Sequence, residues 1–168
     1  ARMRVLTPVT ISEARRTERV STRGLRAATT RRPGSSRPAT LASEDAAIEQ
    51  AVTRLAVRAA TIVPYGLIRL DRSLLAAAPA AVSTRLLDRA VRMAGGAERP
   101  LRHSRIARLL QDITNSPDTR RTCGGTIIQI KGAEALLWRE PAKLPNLMPL
   151  QTLKAGLWDN RFRLNPKD

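Results

Sequence analysis

Arg102, Arg105 and Arg108 stand three residues apart. On a helix this spacing sweeps about a third of the circumference, opposite much of the apolar set Ile106, Leu109, Leu110 and Ile113. A row of guanidiniums on one helix face can track the phosphates of a nucleic acid through forked hydrogen bonds. A solvated face of an arginine-rich protein shows the same spacing. Arg120-Arg121, expected in a loop before the first hairpin, adds a short basic pair. Arg161 and Arg163 flank Phe162, so on a strand both would point to one face. The expected RNA-contacting set is therefore Arg102, Arg105, Arg108, Arg120, Arg121, Arg161 and Arg163.

No residue set points to catalysis. His103 and Cys123 are the single His and Cys of the chain. Neither has a nearby acid in a recognisable pattern, and one Cys excludes a disulfide framework or a multi-Cys zinc site. Cys123-Gly124-Gly125-Thr126 lacks the lysine and spacing of a P-loop. HExxH and GxSxG motifs and paired carboxylates are absent from the sequence. No catalytic residue, metal ligand or bound cofactor is expected in this chain. Trp138, Trp158 and Phe162 can stack on bases, but with only four aromatics present they are the natural core of a small β region.

Charge supports a polyanionic partner. The 168 residues carry a formal charge of +16, distributed as +8 over residues 1–42, +1 over 43–98 and +7 over 99–168. A near-neutral segment between two basic ones suggests a packed core with basic surfaces beside it, a field that attracts nucleic acid. Arg outnumbers Lys 26 to 4, which suits phosphate recognition but also follows from GC-rich coding. No apolar run reaches membrane-spanning length and no signal peptide is visible, so a soluble, cytoplasmic protein is expected.

The elements that must position these residues are helices first and hairpins second, an α+β order. Residues 1–42, rich in Arg, Ser, Thr and Pro, read as a basic disordered leader or divergent linker. Ser43 is the expected N-cap of a helix in which Ile48, Val52, Leu55, Ala59 and Ile62 recur at helical spacing, ending at Val63-Pro64-Tyr65-Gly66. Leu67–Leu70 reads as extended, with Asp71 capping a brief helix that Pro79 stops. A third helix runs from about Ala80 to Ala94 and is closed by Gly95-Gly96. Pro100 suits the first turn of a fourth. The period then changes: Thr126–Ile130 and Glu134–Arg139 flank a Lys131-Gly132 turn, and Leu157–Leu164 forms a second hairpin around Asp159-Asn160. A helical region over residues 43–116 is thus followed by a β-hairpin region over residues 117–168, and the charge suggests that the helical region binds nucleic acid.

Five segments, in order, resemble the carboxy-terminal region of the alphaproteobacterial type of tRNA(Ile)-lysidine synthetase: Asp45-Ala46-Ala47-Ile48-Glu49, Leu86–Gly96, Thr122-Cys123-Gly124-Gly125, Leu137-Trp138-Arg139-Glu140-Pro141 and Leu157–Leu164. The family shows Gly-Gly-Cys, R-E-P and W-D-G-R-F at the last three places. Here Cys123 precedes its two glycines, and Asn160 replaces the glycine of the turn, which a left-handed backbone tolerates. Residues 1–40 do not resemble the family's linker helix, and the chain stops soon after the last segment, where family members continue. The resemblance implies a carboxy-terminal fragment that binds tRNA, truncated at its end. The catalytic ATP-pyrophosphatase domain, which would lie in cis, carries an S-G-G-x-D-S phosphate loop that these residues lack. The full enzyme uses ATP, magnesium and lysine to convert the wobble cytidine of an isoleucine tRNA to lysidine.

Two other readings fit the composition: an independent basic nucleic-acid-binding or ribosome-associated protein, and a helical interaction module whose charge is only coding bias. Without the phosphate loop, this chain incubated with tRNA, ATP and lysine is expected to release no pyrophosphate; lysine-dependent release would overturn the fragment reading.

Overall fold

The computed structural model describes residues 37–146, 156–159 and 161–164. The expected basic leader through residue 36, together with residues 147–155, 160 and 165–168, lies outside them. The architecture is α+β: four α-helices, a five-stranded antiparallel sheet and a separate two-stranded hairpin.

The first helix, α1, spans Arg37–Ala59. It includes Ser43, so the expected start of the helix at Ser43 is corrected: among the described residues the helix already runs from Arg37. It also ends sooner than its apolar series suggests. Ala60–Val63 is a strand, β1, paired antiparallel with β2 (Leu67–Asp71). Thr61, Ile62 and Val63 are β-branched and fit a pleated surface, and Pro64 cannot continue a helix. Consecutive left-handed residues, Tyr65 (φ 70°) and Gly66 (φ 81°), reverse the chain. Ile62 extended the helical count because it faces the same side of the strand as Ala60, which packs against the core that α1 also covers.

Asp71 ends β2 and caps α2 (Arg72–Ala77), its carboxylate accepting the Leu74 N–H at 3.0 Å. α3 (Ala80–Gly95) starts behind Pro79 and stops at Gly96, whose left-handed backbone (φ 62°) returns its N–H to the Arg92 carbonyl. α4 (His103–Asn115) has Arg102 at its N-cap position, so Pro100 and Arg102 precede the helix instead of opening it. The meander follows: β3 (Thr119–Cys123), β4 (Thr126–Lys131) and β5 (Glu134–Arg139). β3 corrects the expected loop around Arg120-Arg121. Those residues pair with Gln129 and Ile128 of β4.

The strand order is β1-β2-β5-β4-β3. β2 pairs with β5, Ile68 opposite Leu137 and Leu70 opposite Ala135. The break in sequence period near residue 116 therefore does not divide the packing: both parts of the chain build one sheet and one core. α3 crosses the sheet's inner face, with α1 and α4 packed against it. Leu86, Leu87 and Val91 of α3 meet Ile68, Leu70, Ile128, Ile130 and Leu137, all almost fully buried. Each of these larger side chains contributes about 2 kcal/mol of hydrophobic stabilisation. Two buried hydroxyls fix α3 in place, Ser83 donating to the Leu75 carbonyl (2.8 Å) and Thr126 to the Val91 carbonyl (2.8 Å).

Arg72 joins three elements. Its backbone N–H donates to Ala133, and its guanidinium donates to Ile113 and Ser116 at the end of α4 (2.6 Å each) and to Gly132 in the β4–β5 turn. Three carbonyls that neither helix nor ladder satisfies thus share one cation. Arg72→Met should lower the unfolding free energy by about 2 kcal/mol or more, since hydrogen bonds to a charged donor are lost. Arg72→Lys should restore only part, because an ammonium cannot span the fork. Urea denaturation measures both, and an unchanged midpoint for Arg72→Met would refute this role.

Candidate nucleic-acid interface

Burial of Ile106, Leu109 and Ile113 turns the opposite side of α4 outward, and Arg102, Arg105 and Arg108 are all exposed. The edge strand β3 runs beside this face. Arg121 reaches Asp112 of α4 (3.5 Å), and the Arg105 guanidinium is near enough to the Cys123 thiol to act on its pKa. The structure therefore brings Arg105, Arg108 and Arg121 onto one surface, with Arg102 at its end. Arg102 and Arg108 have no ion-pair partner among the described residues. Burial pushes the Cys123 thiol up, only partly opposed by Arg105, so it remains a protonated core residue and no nucleophile. His103 is exposed on the first turn of α4. Among the described residues no group of three or more His, Cys, Asp or Glu is placed to hold a metal.

Two expected contacts separate from the set. Arg120 projects to the opposite face of β3 from Arg121, as adjacent strand residues must, and its guanidinium lies 5.4 Å from the Trp138 ring centroid. Arg161 is corrected altogether. It lies in the turn between β6 (Gly156–Trp158) and β7 (Phe162–Leu164), buried, with both Nε (2.7 Å) and NH2 (2.6 Å) on the Asp159 carboxylate. Its guanidinium also covers the Phe162 ring at 4.8 Å. Burial lowers its pKa from the ordinary arginine value and Asp159 opposes that shift. A guanidinium so engaged is part of the fold. Arg163 remains exposed.

Asp159 is the centre of a junction that sequence reading missed. Its second carboxylate oxygen accepts from Arg139 at 2.7 Å. Arg139 also donates to the Gly95 carbonyl at the end of α3 and to the Lys143 carbonyl (2.6 Å). Gly95 has no room for a side chain: a Cβ there would lie inside contact distance of the Gly124 carbonyl oxygen and 2.6 Å from Thr126 Oγ1. Phe162 and Arg161 close over Gly66. The Gly-Gly turns, the R-E-P arginine and the W-D-N-R-F hairpin, far apart in sequence, thus meet at one place. The signal available beforehand was the recurrence of Gly pairs and Arg–Asp pairs with no chemistry assigned to them.

Comparison with protein-family models, curated proteins and solved structures returned no match. The arrangement itself therefore carries the functional reading. Among the described residues no helix is long and apolar enough to cross a membrane.

The junction is testable apart from any ligand. Asp159 is 4 % exposed between two guanidiniums, so Asp159→Asn leaves two largely buried cations short of a counter-charge. Docking of β6–β7 should weaken by about 3 kcal/mol while the five-stranded sheet persists. Hydrogen exchange should accelerate over residues 156–164 and stay slow in β4 and β5; unchanged protection of the hairpin would exclude this role.

Proposed function

We propose that this chain is a carboxy-terminal portion of a tRNA(Ile)-lysidine synthetase that grips and orients tRNA for a catalytic domain in cis. The observation that carries the binding part is the exposed face of α4 with Arg121 beside it: a fixed row of guanidiniums, two of them without ion-pair partners among the described residues, on a chain of charge +16. The family part rests on the resemblance, and the meeting of most of its segments at the Asp159 junction supports it.

The chemistry of this portion is positional. Guanidiniums hold phosphate oxygens in forked pairs and release the counterions condensed on RNA. Holding a substrate in a fixed orientation converts part of a bimolecular encounter into an intramolecular one. By the resemblance, ATP, magnesium and lysine belong to the domain with the phosphate loop.

Phosphate contacts carry no base identity. Changing Arg102, Arg105 and Arg108 together to Gln should therefore weaken tRNA binding across sequences alike. The logarithmic salt slope should flatten by about one unit for each phosphate left unneutralised. Helicity should be kept, because Gln forms helices nearly as well as Arg. Equilibrium binding at several salt concentrations, with circular dichroism as control, measures this. A folded triple variant with unchanged affinity and slope would reduce this face to a solvated surface.

A further inference from the structure

The described helices pack on one side of the five-stranded sheet. Alternation along each strand sends Ile68, Leu70, Ile128, Ile130, Ala135 and Leu137 to the core and the intervening residues to the other side. Register then builds a row across all five strands, Thr61–Arg69–Leu136–Gln129–Arg120. Trp138, the next residue outward on β5, pairs with Ile127, which is buried although it lies on this side. Arg69 and Arg120 are exposed, whereas Trp138, Leu136 and Gln129 are half-buried. Neither arginine has an ion-pair partner among the described residues. Of the acids on this side, Glu134 stands opposite Lys131 and in register with Asp71, Asp71 caps the α2 N-terminus, and Glu140 follows Trp138 by two residues just past the end of β5.

We propose that this sheet face, on which no described helix packs, binds a short single-stranded stretch of RNA, with one base stacked on Trp138 and the flanking phosphates held by Arg120 and Arg69. Three strand spacings separate the two arginines, roughly 14 Å, a span that suits the two or three nucleotides such sheets carry. In the free protein the Arg120 guanidinium occupies the space over the indole ring. An incoming base replaces it with a larger π-face, and the freed guanidinium takes the adjacent phosphate. Positive charge around an aromatic ring suits an anionic chain with planar groups better than an acidic peptide, which has nothing to stack.

The edge strand links this face to the α4 surface. Arg121 and Arg120 are neighbours on β3 pointing to opposite sides, so an RNA held along α4 can pass over that edge and place an unpaired nucleotide on the sheet. This inference rests on the RNA-binding reading above, and the experiment separates the two.

In the full chain, Trp158→Phe leaves Trp138 as the sole tryptophan. Its emission should be quenched by a short oligouridylate and left unchanged by duplex RNA of equal charge, which has no base to offer. Trp138→Phe should keep most of the oligouridylate affinity, Trp138→Ala should lose about tenfold or more, and Arg120→Gln should lose less. Quenching by polyglutamate equal to that by oligouridylate would overturn base stacking. So would full affinity in folded Trp138→Ala, or unchanged Trp138 emission at saturating oligouridylate. Unchanged emission with tRNA binding that still depends on the α4 arginines defeats this inference alone. Binding of neither tRNA nor oligouridylate defeats both readings.

Discussion

Strand β2 holds the molecule together. It is five residues long, pairs on one side with its hairpin partner β1 and on the other with β5, nearly seventy positions away in the chain. Without that second pairing, α3 would still meet β4 and β5, but the inner face would end at Leu137, and Ile68 and Leu70 would have no sheet to extend. With it, Ile68 and Leu70 continue the meander's apolar face, and α3 buries both at once. The loop closure is costly, but it grows only slowly with length, and the burial of a continuous inner face offsets it. Arg72, one residue beyond β2, then ties the same strand end to the last turn of α4 and to the β4–β5 turn. The position of α4, and so of its arginines, follows from the placement of β2.

A sheet of this order has two edges, β1 and β3, and open edges invite pairing with other chains. On β3 the residues are Thr119, Arg120, Arg121, Thr122 and Cys123. Charge on both faces of an edge strand discourages aggregation, so this pair has a structural use whatever it binds. That use does not explain its surroundings. An edge needs charge, but it does not need Trp138 under one arginine or a row of helix arginines next to the other. The edge solution and the proposed RNA path coincide because an arginine that repels a stray strand is equally available to a phosphate.

Much of the architecture was legible in the sequence. The Asp71 cap, the Pro79 break, the Gly95-Gly96 stop and the Lys131-Gly132 hairpin are local rules that the structure follows. Three features were hidden. β1 shared the apolar phase of α1, so period alone extended the helix to Ile62. β3 has a single apolar residue and gives no alternation to detect, because it is an edge strand with one inward position that matters. Arg161 was read as a surface residue because its alternation with Arg163 assumed a strand, whereas it sits in the turn where Asp159 can reach it. The exposed α4 face was legible because helix phase fixes it without knowledge of partners. The sheet's outer face was not, since it exists only once β2 has joined β5.

The excess of Arg over Lys can now be divided by what each guanidinium does. Arg72 and Arg139 each serve backbone carbonyls from separate elements, Arg139 with a buried carboxylate besides. Arg161 engages both a carboxylate and a ring. A lysine's single ammonium cannot do this, so these positions call for arginine on structural grounds. Arg85 and Arg89 bind α1 to α3 through Asp45 and Glu49, where lysine would serve nearly as well at partly exposed sites. Arg69, Arg102 and Arg108 make no ion pair among the described residues and stabilise nothing visible in the free protein. Coding bias alone would favour arginine over lysine at such positions, but it would not gather them: Arg108 follows the outward phase of α4 with Arg102 at the N-cap of that helix, and Arg69 lies in register with Arg120 across the outer face of the sheet. Placement, more than abundance, is what distinguishes a binding surface from a compositional habit.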